Sequence, residues 1–502
     1  MGGRRDAIAS ARLAFSAAPG MLRRQGMRRA VCRGFMTLGL AACTAPTVTT
    51  TADVTPTKQT VPSASAPVTA PDGAARDGSL AGGDAGAIAT PEAGSAATAG
   101  PRLYVRTHSL PIHLDAALKG AWIGTLNAGA SVALRDEPPR AVAGCAVARA
   151  IAPRGWVCED NGNATLDPTD AVWAALHEHA PNFAAALPYS YGESRGTRRQ
   201  RTLPQVATPA WPPSLFEPRL EIPSRSTVAW TDEVQSGGAA WVRAADMSFV
   251  QKDQIVPFAR VDFHGIALGP DVSLPVAFFK RMAHTQYRKE GNGRFTATGE
   301  TWPRLGWVAL SGRSEKRGGR TFWETKDGQL WLDARDAAVV APGDPGPDGR
   351  RPSWIEIAAL QGWLVAYERD RPVYATLISA GKLGAAKPDP DTSPHQAAAT
   401  TPLGSYRVRE KLLTTTLQSE LDDGVEFVHN EVPWSQRFLD LYLLHTAYWH
   451  DQWGEGHSGG CVNLAPTDAK WLFEWTEPRV PEGWHSVRVR DNEPSTAIVI
   501  HP

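Results

Sequence analysis

At 502 residues the chain exceeds one ordinary domain, and Lys plus Arg and Asp plus Glu each total 52, for a formal net charge of zero. That balance leaves no electrostatic case for a nucleic-acid partner and no broad basic face for an acidic membrane surface. Hydrophobic residues at 42% are ordinary for globular domains, whereas 18 tryptophans is high and points first to packed β cores.

In chain order, Met27-Arg28-Arg29 opens a positively charged region, and Gly34 through Ala42 form an apolar stretch. The stretch is far shorter than the roughly 20 residues a bilayer span needs. The pattern predicts a signal peptide over 1–43, with Met21 or Met27 the more natural start. Leu40-Ala41-Ala42-Cys43 resembles a bacterial lipobox, which predicts lipidation of Cys43 and a membrane anchor. Ordinary cleavage near Ala42 without lipid is the alternative. Thr44 rather than Asp after the lipobox favours the outer membrane over the inner, with the protein facing the periplasm. Residues 44–101 are mostly Thr, Ala, Pro, Ser and Gly, with very few large apolar side chains. They cannot bury enough surface to offset their ordering entropy, so they predict a disordered tether with a reach of roughly 40 Å.

Residues 102–170 alternate in short runs punctuated by Gly and Pro, such as Leu103-Tyr-Val-Arg106 and Gly155-Trp-Val-Cys158. They predict a small SH3-like β module. Cys145 and Cys158 are a natural pair in an exported chain and predict a disulfide that staples it. Residues 171–239 read as an irregular connector with one helical run at 171–180, and 240–342 as a second SH3-like β module. A Pro- and Gly-rich linker from Ala341 to Pro352 precedes the last domain, 352–502. There Trp363-Leu-Val-Ala-Tyr-Glu368 and Pro372-Val-Tyr-Ala-Thr-Leu-Ile-Ser379 alternate as strands around a turn at 368–372. Pro466 fits the first turn of a helix, Asp468 suits its positive end, and Pro478 ends it. The fold class is therefore mainly β and multidomain, with one or two helices in the last domain.

One segment concentrates the chemistry. From His445 the chain runs through Trp449-His450 and His457-Ser458-Gly459-Gly460 to Cys461-Val462-Asn463. A cysteine, an imidazole to take its proton and glycines that free backbone N–H groups are what Cys-dependent acyl transfer requires. Ordered motifs accompany it: the strands of 363–379, Thr401-Pro402-Leu403-Gly404, Val432-Pro433-Trp434, His445-Thr446-Ala447-Tyr448-Trp449-His450, and Pro466-Thr467-Asp468-Ala469. Together they resemble the catalytic domain of bacterial L,D-transpeptidases, across 352–502 only. The resemblance implies Cys461 as nucleophile, His445 as base and the Thr446 carbonyl as the group that orients the imidazole. It implies Gly460 and Cys461 amides at the oxyanion, with Gly459, Ser458, Asn463, Tyr448 and His457 shaping the pocket. The partners implied are peptidoglycan stem peptides, which a long tether suits, with no cofactor and no metal.

The chain departs from the family at Gly459, where histidine is usual, and His457 lies two positions upstream. His445, His450, His457 and Cys461 are also zinc-ligand types, but their spacing matches no compact zinc motif. Two other readings share the fold: a peptidoglycan-binding lipoprotein with weakened or lost catalysis, and a carboxypeptidase whose acceptor is water. Pairing with His445 would hold the Cys461 thiol below the ordinary value of about 8.5.

Overall fold

Threonine, valine, isoleucine and the aromatics fill the ordered segments, and such side chains favour the pleated, half-buried surface of a sheet. The computed structural model describes residues 100–160, 162–343, 352–389, 392–393, 396–397, 399–418 and 428–502. The signal segment, Cys43 and the tether as far as residue 99 lie outside the described residues. Strands prevail, and the α-helices among the described residues are Ala171–Glu178 and Pro466–Trp475.

The centre of the last domain is a six-stranded sheet. Its order is Ile266–Ala267, Arg371–Leu377, Trp363–Glu368, Ser353–Ala358, Ala497–His501 and Gly404–Arg407. The expected hairpin is there, closed by Glu368 opposite Arg371. Strand alternation sends Ile355 and Ile357 to one face and Trp354 and Ala358 to the other. The first face buries helix residues Leu472 and Phe473. The second packs against Val276, Phe278, Ala338 and Val340 from outside the domain. Each such fully buried aliphatic or aromatic side chain contributes roughly 1.5–3 kcal/mol.

A ten-stranded sheet carries the site and runs on into the first module. From Val462–Leu464 it passes through Tyr442–Thr446, Val428–Leu439, Glu410–Gln418 and Ser486–Arg488 to Trp122–Leu126 and beyond. The junction is the pairing of Gly124 with Val487 and of Thr125 with Ser486. Gly124 is required there, because a Cβ would stand 2.4 Å from the Ser486 carbonyl oxygen and 2.7 Å from the Trp484 ring. Trp484 is buried in the module's own core with Leu103, Ile112 and Leu126. Cys145 and Cys158 are bonded across neighbouring strands, with Cα atoms 5.7 Å apart.

The expected boundaries in the middle need correction. The stretch 171–239 is not an irregular connector: Ser190–Ser194 and Thr227–Ser236 are strands of a five-stranded sheet. The hairpin of Thr227–Ser236 with Ala239–Ala244 crosses the boundary placed at 239/240. Its turn is Gly237-Gly238 with φ of 59° and 78°, the left-handed pair that a tight hairpin demands. The region expected as one module at 240–342 is divided, its last part forming a separate seven-stranded sheet from Val276–Phe279 to Ala337–Val340. Between the two sheets, Ile266–Ala267 pairs with Arg371–Leu377 and covers that edge of the central sheet.

Candidate active site

The strands Tyr442–Thr446 and Val462–Leu464 run parallel, with Leu444 opposite Val462, His445 opposite Asn463 and Thr446 opposite Leu464. This register places the candidate base beside the candidate pocket amide, two residues along the chain from Cys461. His445 is 2% exposed, and its Nδ1 donates to the Thr446 carbonyl oxygen at 2.8 Å. A carbonyl only accepts, so the neutral ring carries its proton on Nδ1 and leaves the Nε2 lone pair free to take one. Burial depresses this imidazole to about 4, against the pull of the Thr446 carbonyl in the other direction. At neutral pH it is an unprotonated base.

Cys461 is an unpaired, half-buried cysteine. Its Sγ faces the Leu441 carbonyl oxygen at 3.7 Å. Burial pushes the thiol up to about 11, with the Leu443 amide and Arg437 acting to lower it. The expectation of a thiolate below the ordinary cysteine value is therefore reversed: desolvation outweighs the neighbours, and a buried neutral imidazole supplies no positive charge.

The turn before Cys461 is tightly held. Gly460 adopts φ 96°, and its N–H donates to Ser458 Oγ at 3.1 Å. Ser458 Oγ donates in turn to the Cys461 carbonyl oxygen at 2.5 Å. Thr401 Oγ1 donates to the Gly460 carbonyl oxygen at 3.0 Å and accepts the Gly381 N–H at 2.8 Å. The Gly460 amide expected at the oxyanion is thus bonded to Ser458. Ser458 serves the turn more than the pocket. Gly459 is exposed in the turn.

His457 is exposed, and its ring centroid lies 4.6 Å from that of His450. His450 also stands 4.8 Å from Trp453, and its Nε2 is 3.0 Å from Asn463 Nδ2. Burial and the three neighbouring histidines depress His450 to about 3. His429, which composition and spacing did not single out, stacks on Trp449 at 3.9 Å and is held down to about 4 by burial and by His445. Among the described residues, no group of three or more His, Cys, Asp or Glu side chains is arranged to hold a metal ion.

Tyr448 requires a correction. It is 2% exposed, stacked on Tyr191 at 3.9 Å, with its hydroxyl donating to the Asn430 carbonyl at 2.7 Å and 2.8 Å from Thr227 Oγ1. It joins the ten-stranded sheet to the five-stranded module instead of lining a pocket. Trp434 and Trp453 are core residues at 2% and 1% exposure.

Residues 353–494 match the YkuD family model, the L,D-transpeptidase catalytic domain. The matched range includes His429, His445, His450, Cys461 and Asn463. Among solved structures, the catalytic domain of the Enterococcus faecium L,D-transpeptidase is 22% identical, covering 30% of this chain and 96% of that one, with a TM-score of 0.21. The L,D-transpeptidase from Mycobacterium smegmatis is 13% identical, covering 54% and 99%, with a TM-score of 0.22. No curated protein matches the chain.

Proposed function

We propose that this chain is a peptidoglycan L,D-transpeptidase that passes an acyl group through a thioester on Cys461. The carrying observation is the parallel register that sets His445 beside Asn463 and brings Cys461 to the mouth of the same strand pair. In the first half-reaction, the Cys461 proton passes to His445 Nε2. Sγ adds to the carbonyl carbon of the bond between the diamino acid and the terminal D-Ala of a tetrapeptide stem. The tetrahedral adduct collapses with cleavage of the C–N bond, and His445 returns the proton to the leaving amine of D-Ala. In the second, an amine of another stem gives its proton to His445 and displaces Sγ. A new amide is formed, and the thiol is restored. Because the resting pair is neutral, thiol and imidazole, the thiolate is generated during attack rather than stored.

The Leu441 contact and the raised thiol favour a second reading, a peptidoglycan-binding protein in which catalysis is weak. Intact-protein mass spectrometry with a purified disaccharide-tetrapeptide, and imipenem as a second acyl donor, decides between them. A covalent adduct on the wild type but not on Cys461→Ser, with D-Ala and a cross-linked dimer released, supports the transpeptidase. Tripeptide without dimer shows that water is the acceptor. A folded wild type that takes up neither donor establishes the second reading. We further propose export and lipidation at Cys43, placing the enzyme at the outer membrane; metabolic labelling with a fatty acid, lost in Cys43→Ala, tests this.

A further inference from the structure

We propose, on the acyl-transfer reading above, that His450 is a positioning residue: it turns the side-chain amide of Asn463 so that the NH2 group faces the acyl donor. The Gln452 backbone N–H donates to His450 Nδ1 at 3.2 Å. A backbone N–H can only donate, so Nδ1 holds a lone pair and the neutral ring carries its proton on Nε2. Asn463 Nδ2 lies 3.0 Å from that Nε2, and two donors cannot face each other. Asn463 Oδ1, at the opposite end of the amide, is buried with no partner among the described residues. Turning the amide over resolves both: Oδ1 accepts from Nε2–H, and the NH2 takes the unpartnered position.

That NH2 is then a donor without an acceptor on a residue only 2% exposed, an arrangement that costs free energy until something fills it. Its place identifies the acceptor's chemistry. Asn463 is opposite His445 and two residues beyond Cys461 on the same chain. The group that reaches it is an oxygen acceptor next to the scissile bond, a carbonyl or carboxylate of the stem peptide.

His450 can impose this orientation because its own position is fixed from several sides. Its ring packs against Trp453 and His457, at 4.8 and 4.6 Å. The next residue, Asp451, is gripped by Arg304, which donates to its carbonyl at 2.7 Å and pairs with its carboxylate at 3.1 Å. Arg281 pairs with Glu455 at 2.5 Å. The Lys280 stem lies so close to Gly454 that a Cβ there would meet it at 2.8 Å. Residues of the seven-stranded module thereby hold the loop that holds the amide.

Two variants of the full chain test the proposal. His450→Phe keeps a ring for the aromatic contacts but cannot bond to Asn463. Asn463→Asp keeps an acceptor for Nε2–H but removes the NH2. Each should slow adduct formation from imipenem and from disaccharide-tetrapeptide about tenfold or more, with the melting temperature held, and the double variant should be no slower than Asn463→Asp alone. Ring 15N NMR should show His450 with its proton on Nε2. Wild-type rates in His450→Phe, a double variant that multiplies the two losses, or a proton found on Nδ1 would each overturn the assignment. A wild type that takes up neither donor overturns the acyl-transfer reading itself, and the positioning role with it.

Discussion

His445 and Asn463 lie on adjacent strands whose backbones fix their spacing, whereas His450, His457 and Cys461 lie on a loop and turn fixed by side chains. In the strand half, one register decides which residues are neighbours, and a one-residue slip would turn every side chain to the wrong face. In the loop half, placement depends on partners distant in sequence: Arg304 on Asp451, Arg281 on Glu455 and Thr401 on Gly460. The first kind of order is rigid and local. The second makes the site sensitive to parts of the chain that touch no substrate.

Acid should give the largest effect, because it acts on both halves at once. His445, His429 and His450 are held at about 4, 4 and 3, below the ordinary histidine value of 6.5. The unfolded chain therefore binds more protons than the folded one between these values, so stability rises with pH there. The contribution is complete above about 6.5 and is lost as pH falls through about 4. With three rings the total loss is on the order of several kcal/mol. Urea midpoints between pH 7 and 4 measure it. A flat profile would mean that the rings take up protons as readily in the folded protein as in the unfolded chain, and that burial does not hold them neutral.

Next comes Asp468, which supports the strand half alone. Its carboxylate is fully buried and accepts from the Gly265 N–H at 2.8 Å, the Tyr374 hydroxyl at 2.7 Å and Thr376 Oγ1 at 2.5 Å. Burial still raises its affinity for a proton despite these donors. Asp468→Ala leaves the buried Gly265 amide and Tyr374 hydroxyl without an acceptor, while Thr376 Oγ1 keeps the Leu377 carbonyl at 3.3 Å, and should cost about 3 kcal/mol. The expected sign is a lower urea midpoint with an unchanged slope. Because the network ties the helix Pro466–Trp475 to the edge strand, its loss should leave the Cys145–Cys158 module intact.

Asp468 also shows where sequence reading stops. Its helix was legible, because Pro466 at the first turn and the apolar spacing of Trp471, Leu472 and Trp475 are local signals. Its burial was not, because Gly265 approaches from a linker two hundred residues earlier in the chain. The hairpin around Glu368–Arg371 was legible from strict alternation, and the His445 to Asn463 segment from the crowding of reactive residue types. The strands at 190–236 were hidden by the surrounding Pro-rich sequence, although Gly237-Gly238 marked their turn. Tyr448 read as a pocket residue only through the family resemblance. Only the tertiary contact with Tyr191 reveals that it faces away. The partners of the Gly460 amide and the Cys461 thiol depend on turn geometry that no spacing rule supplies.

Arg304→Ala should show the smallest change in stability and yet separate the two halves most cleanly. The Arg304–Asp451 pair is largely exposed, with side chains 36% and 58% accessible, and such pairs contribute at most about 1 kcal/mol. If the loop half is held as described, the variant should keep its urea midpoint within that range while acylation slows. The His445 ring, fixed by the Thr446 carbonyl, should keep its NMR signals. His450 signals should shift, because Arg304 also donates to the Asp451 carbonyl next to it. Arg304→Lys should retain part of the acylation rate by keeping a donor and the charge, but it lacks the planar fork that reaches carbonyl and carboxylate together. Equal shifts at His445 and His450 would show that the two halves move as one body, and the distinction between ladder and loop would fall.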